Sequence, residues 1–403
     1  MLHGGEIYNS KEVRYDFSVN INPLGIPDGV LRKLRDSLPL LKQYPDRDCT
    51  ELRQALEKFT GIPMGQILCG NGASELIEAA VRGLGARSIL LTAPSFSGYL
   101  HAAKACGAQV LYHMLKREED FALTDRYLED LAEGPDLAIL CSPANPVGNL
   151  IDPGLLVRIE EICRRQGTWL LVDECFLGFV QNEKQLTMRR LLSPESFSES
   201  EPDEPAEESS GKTAKEIEEA TGTSFWEKTS GRETKSFHKI HNTEGRQKLL
   251  VLDAFTKRFA MPGVRLGYLM ASDPFVLETI HAQQAEWSVS LPAQIAGIAA
   301  LDEKNEDYLE KARVLVSQER KRMAAAFRSM GCRVFPGEAN YIFFSCGIDL
   351  YGSLLSRGIL IRKCDNYKGL QEGDYRVAVR LPEENDILLQ AVEEILQAGR
   401  NDS

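Results

Sequence analysis

The stretch Asp253-Ala-Phe-Thr-Lys257-Arg-Phe-Ala-Met-Pro-Gly263-Val-Arg265-Leu-Gly267-Tyr268 decides how the chain is read. The apolar run 249–252 delivers Lys257 into a short loop, and Arg265 opens a second apolar run, 266–270. A lone lysine at a strand end is commonly a solvated turn residue. Beside another cation in a dry pocket its pKa falls, and it becomes an amine able to condense with an aldehyde at neutral pH. The flanking pattern decides between the two.

Working back from this stretch, short apolar runs alternate with helix-like segments from Gln66 onward. Strands are expected at 67–69, 89–92, 109–113, 137–141, 169–172, 248–252 and 266–270, and helices at 74–83, 99–106, 125–132 and 153–166. That alternation predicts an α/β fold with a mostly parallel seven-stranded sheet, whose ligands bind beyond the carboxyl ends of the strands. Chemistry-bearing residues do follow strands. Asn71-Gly72-Ala73-Ser74 opens a helix, and its amides and dipole suit a phosphate, although a plain strand-to-helix turn looks the same. Phe96 follows the second strand, where an aromatic is either core filler or a stacking platform. Ser142-Pro-Ala-Asn145-Pro-Val-Gly148 follows the fourth. Asp173-Glu174-Cys175-Phe176 follows a run of Trp-Leu-Leu-Val, and a carboxylate at a buried strand end is costly unless it is paired.

Working forward, a helical region runs from 273 to 330. Strand-like runs follow at 334–335, 342–345, 359–361 and 376–379, then a helix at 383–397. This describes a smaller α+β domain. Of its arginines Arg362, Arg376 and Arg380, the last two are spaced to share one face of a strand and suit an anionic substrate. The N-terminal part holds turn formers at 1–25, a helix at 30–38, Tyr44-Pro45-Asp46 and a helix capped by Thr50. The expected organisation is an arm and start of the small domain at 1–48, a large domain at 49–275 and a small domain at 276–403. An insertion at about 184–247 separates two neighbouring strands, and its part Ser193–Ala220 reads as disordered or a surface excursion. His238 and His241 in the same insertion have no further ligand types nearby, so no metal site is expected.

The totals fit an enzyme of this build: 403 residues, 43% apolar and 26% charged. The net charge of −12 is concentrated between Ser193 and Ala220, where ten acids and two lysines leave only −4 for the rest. The folded body has no basic face for nucleic acid. No run approaches a membrane span and the N-terminus lacks a signal-peptide pattern, so the expected location is the cytoplasm. Nine cysteines without a C-x-x-C pair are expected to be reduced packing residues.

Lys257, Arg265, Asp173, the Asn145-Pro146-x-Gly148 turn, Phe96 and the 72–74 loop, in this order, resemble the fold-type I pyridoxal-phosphate enzymes of the aspartate aminotransferase class. The resemblance implies pyridoxal 5'-phosphate as cofactor and a role for each residue. Lys257 would join the cofactor aldehyde and move protons at the substrate Cα, and Asp173 would pair with the ring nitrogen. Asn145 would bond the phenolic oxygen, Phe96 would stack on the ring, and Ala73, Ser74 and Arg265 would hold the phosphate. Tyr44 would reach the phosphate of a neighbouring subunit, which implies a homodimer. Two departures stand out. Phe176 occupies a position that is often tyrosine, and Ala254 replaces a hydroxyl residue, leaving Ser74, Thr256 or water to supply that contact.

Within the class, His3-Gly4-Gly5, the stretch from Asp16 to Gly25, and Gly358-Ile-Leu-Ile-Arg362-Lys-Cys364 with Tyr375-Arg376-Val-Ala-Val-Arg380 resemble the threonine-phosphate decarboxylases of cobalamin biosynthesis. These are close relatives of the histidinol-phosphate aminotransferases. The resemblance implies decarboxylation of L-threonine O-3-phosphate to (R)-1-amino-2-propanol O-2-phosphate and CO2, with transamination as the alternative. His3, Arg376 and Arg380 are the expected anion clamps, with Asn22 and Asn145 near the substrate; which clamp takes phosphate and which carboxylate stays open.

Overall fold

The computed structural model of the chain describes residues 13–192 and 247–401. After a two-residue strand β1 (Tyr15–Asp16), the chain lays down β2 (Ile67–Gly70), β3 (Ser88–Ala93), β4 (Gln109–Met114), β5 (Leu137–Cys141), β6 (Trp169–Asp173), β7 (Leu249–Ala254) and β8 (Gly267–Ala271). The last seven form one sheet in the order β2-β8-β7-β6-β5-β3-β4. Neighbours from β7 to β4 pair in parallel, and β8 alone runs antiparallel to both its neighbours.

The central strands are buried on both faces, which is why they read as unbroken apolar runs. Successive side chains point to opposite faces and feed two cores. On β6, Leu170 and Val172 join one core while Trp169 and Leu171 join the other. Helices Thr50–Thr60 and Pro153–Gln166 cover the first face, and Ala73–Gly83 with Pro274–His281 cover the second. Six chain segments therefore leave the sheet at its carboxyl end, at Gly70, Ala93, Met114, Cys141, Asp173 and Ala254.

A second, antiparallel sheet contains β9 (Arg333–Val334) and β10 (Tyr341–Ser345), and beyond β11 (Ile359–Leu360) also β12 (Arg362–Lys363) and β13 (Asp374–Ala378), in the order β12-β13-β10-β9. It packs with the helices Glu306–Ser329 and Pro382–Asn401 around its own core. The strand expected at 359–361 is β11, which pairs in parallel with β1 of the N-terminal segment; after Ile361 the chain enters the other sheet as β12, which pairs with β13.

Other differences from the sequence reading have local causes. Thr50 is the first helical residue and not the cap: the Asp46 carboxylate accepts its N–H at 2.6 Å, across Cys49 at φ 50°. The region 273–330 is three helices, Pro274–His281, Leu291–Ala300 and Glu306–Ser329. The first two start anew on Asp273 and Ser290 caps with proline in the first turn. The first residues of the expected insertion are ordered parts of the body. Helix Glu183–Leu186 and turn Met188–Leu191 pack into the body, where Glu183 pairs with Arg189 and Arg258. Gln247 Nε2 donates to the Leu191 carbonyl at 2.9 Å, so the ends of the excursion meet. Ser193–Ala220, His238, His241 and His3 lie outside the described residues. Seven cysteines are buried, and all nine are free thiols. Among the described residues no helix is long and apolar enough to cross a membrane, and no group of side chains is arranged to hold a metal ion.

Candidate active site

Beyond the carboxyl ends of β5, β6 and β7 lies a cavity of about 140 Å³. β7 runs directly into the four-residue turn Phe255–Arg258, which carries Lys257 to its wall, with Nζ 5.8 Å from the centre of the Phe176 ring. Burial lowers the Lys257 pKa to about 8, helped by the nearby cations Arg376 and Arg265. An amine that would be fully protonated in water is therefore partly free at neutral pH.

Asp173 ends β6 under the same cavity. Its Oδ2 accepts the Tyr99 hydroxyl at 2.7 Å and its Oδ1 the Cys175 amide at 3.0 Å. Burial nevertheless pushes the Asp173 carboxyl up, and among the described residues no cation stands within ion-pair distance of it. A buried carboxylate in that state is a receptor for a positive group. Tyr99 meets Phe96 edge to face, with ring centres 5.5 Å apart, and Phe96 lines the cavity.

The turn after β2 forms a cup. Helix Ala73–Gly83 starts from Gly72 with no side chain capping its first amides. Arg265, in left-handed backbone at φ 59°, folds its guanidinium onto this turn: a Cβ on Gly72 would lie 2.7 Å from Arg265 Nη2. From below, a Cβ on Gly267 would lie 2.9 Å from the Ala73 nitrogen. Two glycines thus let a helix N-terminus and an arginine share one small space, suited to a phosphate. Ser74 is exposed at this point and Thr256 is partly buried beside Lys257.

Across the cavity, Arg376 of β13 is held on several sides. It donates to Asn145 Oδ1 at 2.5 Å and to the Ser18 carbonyl at 3.0 Å, and Asn20, with its carboxamide oxygen turned inward, accepts from Nε and Nη1 at 3.1 and 3.2 Å. The structure thus gathers Lys257, Asn145, Phe96, Phe176 and Arg376 on one cavity, with Asp173 buried beneath it. Arg380 is not brought there. It bonds the Asp16 carbonyl and Glu384, both at 2.8 Å, because β13 ends at Ala378 and the strict alternation assumed for residue 380 stops with it. Asn22 is also withdrawn: it is buried, with Nδ2 donating to the Arg258 carbonyl and Oδ1 accepting the Leu24 amide. Tyr44 stands 81% exposed beside Trp287 on the outer surface.

Tyr99 and Tyr367 carry no motif of their own in the sequence. Tyr99 lies one helical turn past Phe96, the only sign of its role. Ser18, Asn20 and Tyr367 also line the cavity, and Tyr367 lies against the Arg362 guanidinium at 5.2 Å.

A family model described as aminotransferase class I and II matches residues 14–392. The chain belongs to the class I and II aminotransferase family. It is 32% identical over 405 residues to the threonine-phosphate decarboxylase of Salmonella typhimurium, covering 98% of this chain and 96% of that protein. It is 29% identical to the histidinol-phosphate aminotransferase of Desulfitobacterium hafniense, covering 97% and 94%. Among solved structures, the histidinol-phosphate aminotransferase from Clostridium acetobutylicum superposes with a TM-score of 0.76 at 26% identity, covering 95% of this chain and 99% of that one.

The protein is therefore a fold-type I enzyme that uses pyridoxal phosphate. The residues fit that cofactor on their own terms: an amine with a lowered pKa, a buried carboxylate with no cation partner among the described residues, an aromatic wall and a glycine-cleared cup faced by an arginine. Phe176 leaves the phenolic side one hydroxyl short. Its ring packs edge to face on Tyr341 at 5.1 Å, and the Tyr341 hydroxyl is committed to the Ala144 carbonyl at 2.7 Å.

Proposed function

We propose that this enzyme decarboxylates L-threonine O-3-phosphate to (R)-1-amino-2-propanol O-2-phosphate and CO2, a step of cobalamin biosynthesis, and that it does so in the cytoplasm as a homodimer. The observation that carries the reading is the multiply anchored Arg376 on the cavity that Lys257 enters, in a chain whose likeness to a threonine-phosphate decarboxylase spans nearly its full length.

Pyridoxal phosphate, when bound, supplies an electron sink for whichever bond at the substrate Cα stands upright to its ring. The residues of this chain decide which one that is. Asp173 supplies the negative partner for the ring nitrogen, and Ala73, Ser74, Thr256 and Arg265 hold the cofactor phosphate. Arg376 grips an anionic group of the substrate with a fork whose direction is fixed by Asn145, Asn20 and the Ser18 carbonyl. Lys257, with its lowered pKa, holds the proton that Cα receives once CO2 has left. In the dimer, exposed Tyr44 reaches the neighbouring subunit's cofactor phosphate, and Trp287, whose ring centre lies 5.1 Å from that of Tyr44, forms apolar interface with it. His3 completes the substrate clamps.

The test is to incubate the enzyme with threonine phosphate alone and measure CO2. Release without a 2-oxo acid is expected. A requirement for a 2-oxo acid, or reaction with histidinol phosphate only, replaces this reading with the histidinol-phosphate aminotransferase one, which the structural likeness to that enzyme from Clostridium acetobutylicum favours.

A further inference from the structure

Directly behind the lysine turn lies a buried charge cluster that the chemistry above does not use. Arg258, the residue after Lys257, is gripped at two points by Glu183: Nη1 meets Oε2 and Nη2 meets Oε1, both at 2.8 Å. Its Nη2 also meets Asp253 Oδ2 at 3.0 Å, which in turn accepts the Tyr268 hydroxyl at 2.9 Å. Glu183 further accepts Arg189 Nη2 at 2.8 Å. Arg189 Nε donates to the Thr187 hydroxyl at 3.0 Å, and that hydroxyl donates to Glu174, the neighbour of Asp173, at 2.5 Å. Glu183, Arg258, Asp253, Arg189 and Glu174 are all buried.

We infer that Glu183 is a positioning residue for Lys257, acting through Arg258. In a helical turn consecutive side chains diverge by about 100°. A guanidinium fixed on one side of the Phe255–Arg258 turn therefore fixes the direction in which its neighbour delivers an amine. The backbone of the same turn is pinned separately: the Asn22 amide donates to the Lys257 carbonyl and Asn22 Nδ2 to the Arg258 carbonyl, each at 2.9 Å. The Arg258 guanidinium also lies directly against the Gly178 backbone, where a Cβ would come within 2.6 Å of its Nη1. Residues 183–189, which read in sequence as the edge of an insertion, thus brace the lysine through Arg258 and the Asp173 strand end through Glu174.

The inference rests on the family role of Lys257 and not on the choice of substrate, so its test uses none. Full-length protein stripped of cofactor is mixed with pyridoxal phosphate, and the growth of visible absorbance gives the rate of capture by Lys257. Glu183→Gln is expected to slow capture by about tenfold or more. The double variant Glu183→Gln/Arg258→Met removes one charge of each sign, so its melting temperature should return toward that of the parent while capture stays slow. Glu183→Asp, which keeps the charge on a shorter arm, should fold and still capture slowly. Capture within twofold of the parent in Glu183→Asp, or full recovery of capture in the double variant, would show that the cluster only stabilises the fold and would overturn the inference.

Discussion

Arg376 Nη1 and Asn145 Oδ1 stand 2.5 Å apart, joining β13 of the small sheet to the loop that follows β5 of the large one. The arginine is thereby aimed before any substrate arrives, and so the rotational freedom of a long side chain is lost in folding and not in binding. Arg376→Lys keeps the charge but loses the fork. It should lower kcat/KM for an anionic substrate by about 10- to 100-fold, the usual worth of a hydrogen bond to a charged group. Asn145→Ala should act in the same direction with a smaller effect. Steady-state kinetics on both variants check the order.

Cofactor capture should follow the free-amine form of Lys257. With its pKa at about 8, the capture rate of cofactor-free protein should rise with pH and level off above that value, well below the range of an ordinary lysine. Burial is the main cause and Arg376 the next, so Arg376→Met should move the midpoint upward without restoring an ordinary lysine. A capture rate that keeps rising through pH 10 would contradict the assignment of the low pKa to this residue. Lys257→Ala should abolish the visible absorbance altogether.

Much of this site was legible in the sequence because the fold places functional residues after strands. The runs ending at Asp173 and Ala254 announce themselves through unbroken apolar residues, and the polar residue that follows each has to be explained. The residues that the structure places away from the cavity share a different cause. Arg380 and Asn22 carry the right chemistry, but their partners, Glu384 and the Arg258 carbonyl, depend on where a strand stops and where an arm docks. Glu183 and Arg189 carry no sign of their role, because the pairing of Glu183 with Arg258 across 75 residues leaves no periodic mark. Tyr99 was missed for the same reason: its partner Asp173 is distant in sequence.

The cup formed by Gly72 and Arg265 predicts an unusually sensitive glycine. Gly72→Ala places a methyl group 2.7 Å from the guanidinium at a φ of 81°, where a side chain is strained in any case. Backbone strain of this kind costs about 1–3 kcal/mol. Displacing Arg265 should weaken cofactor phosphate binding as well. The dissociation constant for pyridoxal phosphate, measured by equilibrium titration, should rise by about tenfold or more. Free inorganic phosphate should then compete less well for the stripped variant than for the parent.

The buried cluster also predicts two opposed pH dependences of stability. Burial alone would raise the Glu183 carboxyl, but Arg258 and Arg189 beside it hold it down to about 2, below an ordinary 4.5. Its contribution is therefore present above pH 4.5 and is lost as pH falls toward 2, a loss of roughly 3 kcal/mol. Glu174 moves the other way. Burial pushes it up to about 7, against hydrogen bonds from Thr187 and Met188, so its contribution is present below pH 4.5 and fades as pH rises through 7. Urea unfolding at a series of pH values should thus show Glu183→Gln losing most stability near neutrality and least at pH 2. Glu174→Gln should show the reverse, with its cost greatest in acid. Parallel curves for parent and both variants would mean that neither carboxyl changes its protonation on folding.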